Sequence, residues 1–141
     1  HQLKSQLQQL FGPENAGDAL QVSVVSFGFK HGVPIDVDMV LDVRFLPNPH
    51  WDENLRPLSG LDDSVRDYVL GQQITSEFLM RSQNLLELIL PACVQEGRSY
   101  LTLGVGCTGG RHRSVAIVEE LSSRLREMGY HPRVTHRDIN H

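Results

Sequence analysis

Tyr100-Leu-Thr-Leu-Gly-Val-Gly-Cys-Thr-Gly-Gly-Arg-His-Arg-Ser114 is the stretch that decides the fold. Tyr100 to Val105 reads as a buried strand. The glycines that follow break it, and a helix opens near His112. Apolar residues at 115, 118, 121, 125 and 128 mark one helical face as far as Met128, and Gly129 stops it. A strand running through a Gly-rich turn into an amphipathic helix is the core of a parallel β–α–β unit.

The rest of the chain repeats that alternation. Val22 to Phe27 is a β-branched run suited to a buried strand, and Met39 to Arg44 reads as a second strand. The Pro-rich stretch Phe45 to Trp51 should be irregular. A helix follows Asp62 or Asp63 as N-cap and ends near Gly71. Another starts after Thr75, carries Phe78, Leu85, Leu86 and Ile89 on one face, and ends by Gly97, with Pro91 expected to kink or end it. Pro132 to His136 is a fourth strand. The expected class is α/β: a mostly parallel sheet of about four strands with helices on its faces. Ahead of it, residues 1–21 read as a linker from a preceding domain, with Leu3, Leu7 and Leu10 at helical spacing, and residues 22–141 as the binding domain. The chain starts at His1 and reads as a piece of a larger protein.

The loop from Gly106 to Ser114 lies at the carboxyl edge of the sheet, where α/β folds place ligands. Gly109 and Gly110 let backbone approach a ligand closely, and N–H groups at a helix start attract an anion. Arg111 and Arg113 can add forked, charge-assisted bonds, while Thr108 and Ser114 offer hydroxyls. A phosphorylated ligand is the expectation.

Three motifs overlap here. Gly104-x-Gly106-x-x-Gly109 matches a dinucleotide fingerprint, but the acidic residue due about 20 positions on is missing, Asp138 lying well beyond. A Walker A loop would need Gly-Lys-Ser/Thr, which is absent. Cys107, five residues, then Arg113-Ser114 matches the C-x5-R-S/T loop of cysteine phosphatases, in which the thiolate attacks phosphorus. Gly106 stands where that family has His, and no aspartate among Asp52, Asp62 and Asp63 is marked as a general acid. Phosphate binding without hydrolysis, no catalytic residue, no cofactor and no metal are therefore expected, with Cys107, Arg113 and Ser114 as the alternative catalytic set.

Composition supports these readings. Apolar residues make up 40% of the 141 and charged residues 21%, and no apolar stretch is long enough to span a membrane. The N-terminal HQLKSQLQQL is too polar for a secretory signal. Two isolated cysteines, Cys93 and Cys107, imply a reducing cytoplasm. The net charge of −4 divides unevenly, residues 1–97 carrying −7 and residues 98–141 carrying +3. An anionic macromolecule should therefore meet the C-terminal third, on one face, through Arg98, Arg111, Arg113, Arg133 and Arg137.

Four long strings resemble the C-terminal domain of the RapZ family of RNase adapter and nucleotide-binding proteins: Ser26 to Pro34, Asp42 to Trp51, Arg56 to Asp62 and Gly106 to Ser114, with His136-Arg-Asp138 as a fifth. They span about residues 22–138. The resemblance implies a fold like a phosphofructokinase subdomain, self-association into a homo-oligomer, and binding of a phosphorylated amino sugar, glucosamine-6-phosphate. It also implies small regulatory RNA as a partner, presented to an endoribonuclease; the charge balance of the chain then makes Arg98, Arg111, Arg133 and Arg137, together with Lys30 at the ligand loop, the expected RNA contacts. The Walker-motif domain that binds or hydrolyses ATP and GTP in family members has no counterpart in this sequence. Carried over, the ligand residues are Lys30 and His31, then Asp42 and Arg44, then Asn48 and His50, then Thr108, Gly109, His112 and Arg113. Asp42 and Arg44 have a structural ion pair as their alternative role. His31 and His50 have backbone-bonded loop histidines as theirs.

Overall fold

Helix and strand formation follow the hydrophobic pattern closely. The computed structural model describes residues 19–141, so the amphipathic turn expected around Leu3 to Leu10 lies outside the described residues. The strands are β1 (Gln21–Gly28), β2 (Met39–Asp42), β3 (Tyr100–Cys107) and β4 (Arg133–His136). The helices are α1 (Asp63–Leu70), α2 (Gln73–Gln95) and α3 (Arg113–Glu127), with 3-10 turns at Phe29–His31 and Pro49–Trp51. The sheet has the order β2-β3-β1-β4, and every pairing is parallel.

Two local expectations change. The Pro-rich loop contains a regular turn, because Pro49 fits the first position of a 3-10 helix and Asn48 Oδ1 accepts from the His50 N–H at 3.1 Å. Helix α2 begins three residues earlier than expected and runs through Pro91 to Gln95. Leu86, Leu90 and Val94 are buried on either side of the proline, and their burial outweighs the lost backbone bond.

The helices lie on one face of the sheet rather than on both. Right-handed crossovers from β2 to β3 and from β3 to β4 advance in the same direction along the sheet, so both must pass over the same side. Val22, Val24, Leu101, Leu103 and Val105 point into that side and share a core with Val65, Leu90, Ile117 and Leu121. Residues of opposite parity are less covered, with Tyr100 72% exposed and Val40 39%. The return from β1 to β2 runs the other way and crosses the second face as a loop. Phe27 packs edge-on against Phe29 with centroids 4.9 Å apart. A side chain at Gly106 would collide with both rings, and one at Gly104 would press on Phe27 and Val37. Gly104 and Gly106 thus make room for aromatic rings. That role removes the dinucleotide-fingerprint reading of these two glycines.

A Ser–His–Glu chain, buried at Ser26 and open at Glu119, fixes the sheet edge. His136 Nε2–H donates to Glu119 at 2.9 Å, which leaves Nδ1 to accept from the Ser26 hydroxyl at 2.7 Å. Ser26 is fully buried, so the chain ties β4 to β1 and α3 instead of presenting a nucleophile.

Candidate functional site

The carboxyl ends of β1, β2 and β3 converge on the start of α3, and a cleft of about 560 Å³ opens there. Its floor is the turn after β3. Gly110 has φ of 82°, and a side chain on it or on Gly28 would drive the two backbones apart, so only glycine permits this crossing. The Lys30 N–H donates to the Thr108 carbonyl at 3.2 Å, and the Gly28 N–H to Asp138 Oδ2 at 2.8 Å. Burial alone would raise the Asp138 carboxyl, but the Arg137 guanidinium, the Gly28 N–H and nearby His31 hold it below the usual carboxylate range. The floor is therefore stitched to the β1 loop by backbone bonds and a buried charge.

The two loop arginines brace the walls. Arg113 is 4% exposed; its Nη1 donates to the carbonyls of Arg44 at 2.7 Å and Leu46 at 3.0 Å, and its Nη2 to Thr108 Oγ1 at 3.3 Å. Arg111 spends its nitrogens on the carbonyls of Leu58, Pro57 and Ile139. Both still line the cleft and give its wall positive charge. His112 is nearly buried, and burial pushes its imidazole below the ordinary value of 6.5, with Arg111 and His50 adding to the effect against bonds to the Arg56 and Leu58 carbonyls. Because the Arg56 carbonyl can only accept, Nε2 of neutral His112 carries the proton in their 3.1 Å bond.

Cys107 sits beneath the loop, 3% exposed. The Gly110 N–H donates to its sulfur at 3.3 Å, and the thiol donates to Ser114 Oγ at 3.1 Å. Gly109 faces open space.

The expected residues divide into groups. Lys30, His31, Asn48 and His50 line the cleft, as do Cys107, Thr108, Gly109 and the Arg111 to Arg113 segment. Gly110 and Ser114 support it from below. Asp42 and Arg44 form the ion pair instead, with Arg44 Nη2 2.6 Å from Asp42 Oδ2 and the guanidinium 3.9 Å from the centre of the Phe29 ring. The hydrogen bonds and charge of Arg44 lower the Asp42 carboxyl, with a smaller contribution from Arg113.

Three lining residues were not expected: Trp51, Arg56 and His141. Arg56 Nε donates to the His50 carbonyl at 2.6 Å, and His141 stacks on His31 at 4.2 Å. Among the described residues, no Asp or Glu lines the cleft. Among the described residues, no cluster of three or more His, Cys, Asp or Glu could hold a metal ion, and no helix is long and apolar enough to cross a membrane.

The basic residues do not share one face as their sequence clustering suggested. Arg98 precedes β3 and pairs with Asp38 at 2.8 Å, and Arg133 opens β4, so both lie toward the amino edge. The cleft is at the other end of β1 and β3, which are roughly 25 Å long. Arg137 is near the cleft, but its charge is committed to Asp138 at 2.7 Å.

An all-parallel α/β sheet with a glycine-rich, cation-walled loop at its carboxyl edge places this chain among α/β domains whose loop chemistry suits an anion. The chain belongs to the RapZ C-terminal domain family, whose model matches residues 20–140. It is 51% identical over 139 residues to a nucleotide-binding protein of Thermobifida fusca, covering 99% of this chain and 47% of that protein. A nucleotide-binding protein of Trichlorobacter lovleyi is 52% identical, with 99% and 49% covered. One of Frankia casuarinae is 53% identical, with 99% and 48% covered. The chain spans about half the length of the curated relatives it matches.

Proposed function

We propose that this domain senses a phosphorylated amino sugar of the glucosamine-6-phosphate kind and acts as an adapter that offers small RNA to an endoribonuclease, in control of amino-sugar and cell-envelope precursors. The observation that carries the ligand part is a cleft walled by Lys30, Arg56, Arg111 and Arg113, floored by Gly109 ahead of a helix N-terminus, with no Asp or Glu among its described lining residues. Such a site favours phosphate by charge and by backbone N–H geometry. The relatives' shared description as nucleotide-binding fits the same phosphate chemistry. The RNA and endoribonuclease parts rest on family membership, as does assembly into a homo-oligomer. Any ATP or GTP hydrolysis belongs to the part of the relatives that this chain does not span.

The domain binds and does not turn over its ligand. A phosphatase would need a residue before the cysteine that orients the loop, but a side chain at Gly106 would strike Phe27 and Phe29. It would also use a carboxylic acid for the leaving group, and no Asp or Glu is among the described residues that line the cleft. Calorimetry with glucosamine-6-phosphate tests the ligand reading. Saturable binding that is competed by inorganic phosphate supports it, and absence of heat at millimolar ligand removes it.

A further inference from the structure

Trp51 is the only tryptophan in the chain, and it stands 78% exposed on the rim of the cleft. An indole left so open costs hydration free energy, and here it sits on a fixed support. The 3-10 turn that carries it is held by the Asn48–His50 bond and by the Asp52 N–H donating to the Pro49 carbonyl at 3.0 Å. Pro49 itself is buried beneath the turn. The same loop is gripped upstream by Arg113 at the Arg44 and Leu46 carbonyls, so the rim is coupled to the floor that would hold phosphate. His50 meets the indole in a T-shaped contact, with centroids 5.5 Å apart, and so steadies the ring while leaving most of its surface open.

The lining is divided in chemistry. Lys30, Arg56, Arg111 and Arg113 suit an anionic group, while Trp51 is the one large apolar side chain among the described residues at the cleft. A ligand made of a phosphate and a ring with an apolar C–H face would match both parts. We propose that Trp51 is the ring-binding platform of the cleft, stacking on the C–H face of a hexose phosphate whose phosphate lies on the Gly109–Arg113 floor. This rests on the phosphosugar reading above and adds to it the residue that would recognise the sugar. An aromatic face takes up such a ring with little ordering cost, since the indole has only two side-chain torsions to fix.

The test uses the 141-residue chain, wild type and with Trp51→Ala and Trp51→Phe. Calorimetry measures affinity for glucosamine-6-phosphate, inorganic phosphate and adenosine monophosphate, and indole emission is followed in the wild type, where the signal has a single source. Trp51→Ala should weaken the sugar phosphate by roughly tenfold, with Trp51→Phe in between. Inorganic phosphate should stay within about twofold in both variants. Emission should shift to the blue with the sugar phosphate and not with inorganic phosphate. Equal affinity of wild type and Trp51→Ala for the sugar phosphate overturns the platform while leaving the phosphosugar site standing. Equal loss of both ligands in Trp51→Ala overturns it too, since the residue would then act on the floor. Trp51-dependent binding of adenosine monophosphate with no binding of the sugar phosphate overturns both the proposal and the phosphosugar reading.

Discussion

The Arg113 guanidinium donates to the Leu46 carbonyl at 3.0 Å, linking the first residue of α3 to the loop after β2. The residue that sequence reading marks as a phosphate anchor is therefore also the fastener of the wall that faces it. Its affinity and stability effects should be inseparable. Arg113→Ala should abolish measurable sugar-phosphate binding and cost roughly 3 kcal/mol of stability, because two carbonyls lose a charged donor. Arg113→Lys keeps the charge but not the fork, and should still lose roughly 1–2 kcal/mol. Urea denaturation beside calorimetry checks both. Full stability in the alanine variant would contradict the fastener.

The two loop glycines should separate folding from binding. Gly110 needs its φ of 82°, and a Cβ there would meet Gly28 backbone. Gly110→Ala should cost roughly 2 kcal/mol or more. A Cβ on Gly109 meets nothing and projects into open space. Gly109→Ala should leave stability within about 0.5 kcal/mol yet weaken phosphate binding, because it crowds the approach to the loop amides. Thermal melts paired with phosphate titration read the two effects apart.

His112 gives the domain an acid-sensitive point. Its folded value lies below 6.5 chiefly because burial disfavours the imidazolium. The unfolded chain therefore takes up the proton first. His112 contributes no penalty above the unfolded value, and stability falls as pH drops below it toward the folded value. The loss of stability between about pH 7 and pH 5 should be smaller in His112→Gln than in wild type. Urea midpoints across that range decide it, and identical pH slopes would remove His112 as a cause.

The strands, the helices and the glycine-rich turn between β3 and α3 were legible in the sequence because hydrophobic period and Gly/Pro punctuation are local signals. The side on which the helices pack was not. It depends on strand order, and β1 carries apolar or small residues at both parities, Val24 and Ser26 inward, Val25 and Phe27 outward. The packing role of Gly106 was hidden for a related reason. Its role depends on Phe27, its partner across the β1–β3 register, and nothing in the loop motif reports that pairing. Arg56 and His141 reach the cleft from distant loops with no periodicity to announce them. Asp42 and Arg44 stand two residues apart at a strand end, where a carboxylate and a guanidinium satisfy each other before any ligand arrives.

Cys107 should prove inert. The thiol is buried and bonded to Ser114 Oγ and the Gly110 N–H. With p-nitrophenyl phosphate the wild type should show no turnover above buffer, and Cys107→Ser should bind glucosamine-6-phosphate within about threefold of wild type. Turnover that disappears in Cys107→Ser would establish the phosphatase reading instead.

RNA binding by this domain should be weak, steeply salt-dependent and competed by the sugar phosphate. Residues 1–97 carry a net −7, which repels a polyanion over most of the surface. The positive balance of residues 98–141 is dispersed, with Arg98 tied to Asp38, Arg137 tied to Asp138, and Arg111 spent on carbonyls. Lys30 and Arg56 at the cleft rim are the cations best placed to meet phosphate from outside, and they are the ones a bound sugar phosphate would engage. Few phosphates can then be neutralised per copy, so tight binding requires several copies acting together. One exposed tryptophan offers little base stacking, so recognition would rest on backbone charge and RNA shape. Filter binding across a salt series, with and without glucosamine-6-phosphate, reads all of this. Affinity should fall by at least tenfold from about 50 to about 200 mM salt. Lys30→Ala and Arg56→Ala should each weaken RNA several-fold, while Arg98→Ala should leave it unchanged. Salt-insensitive binding, or RNA held equally well with the cleft filled, would place the RNA surface elsewhere on the molecule.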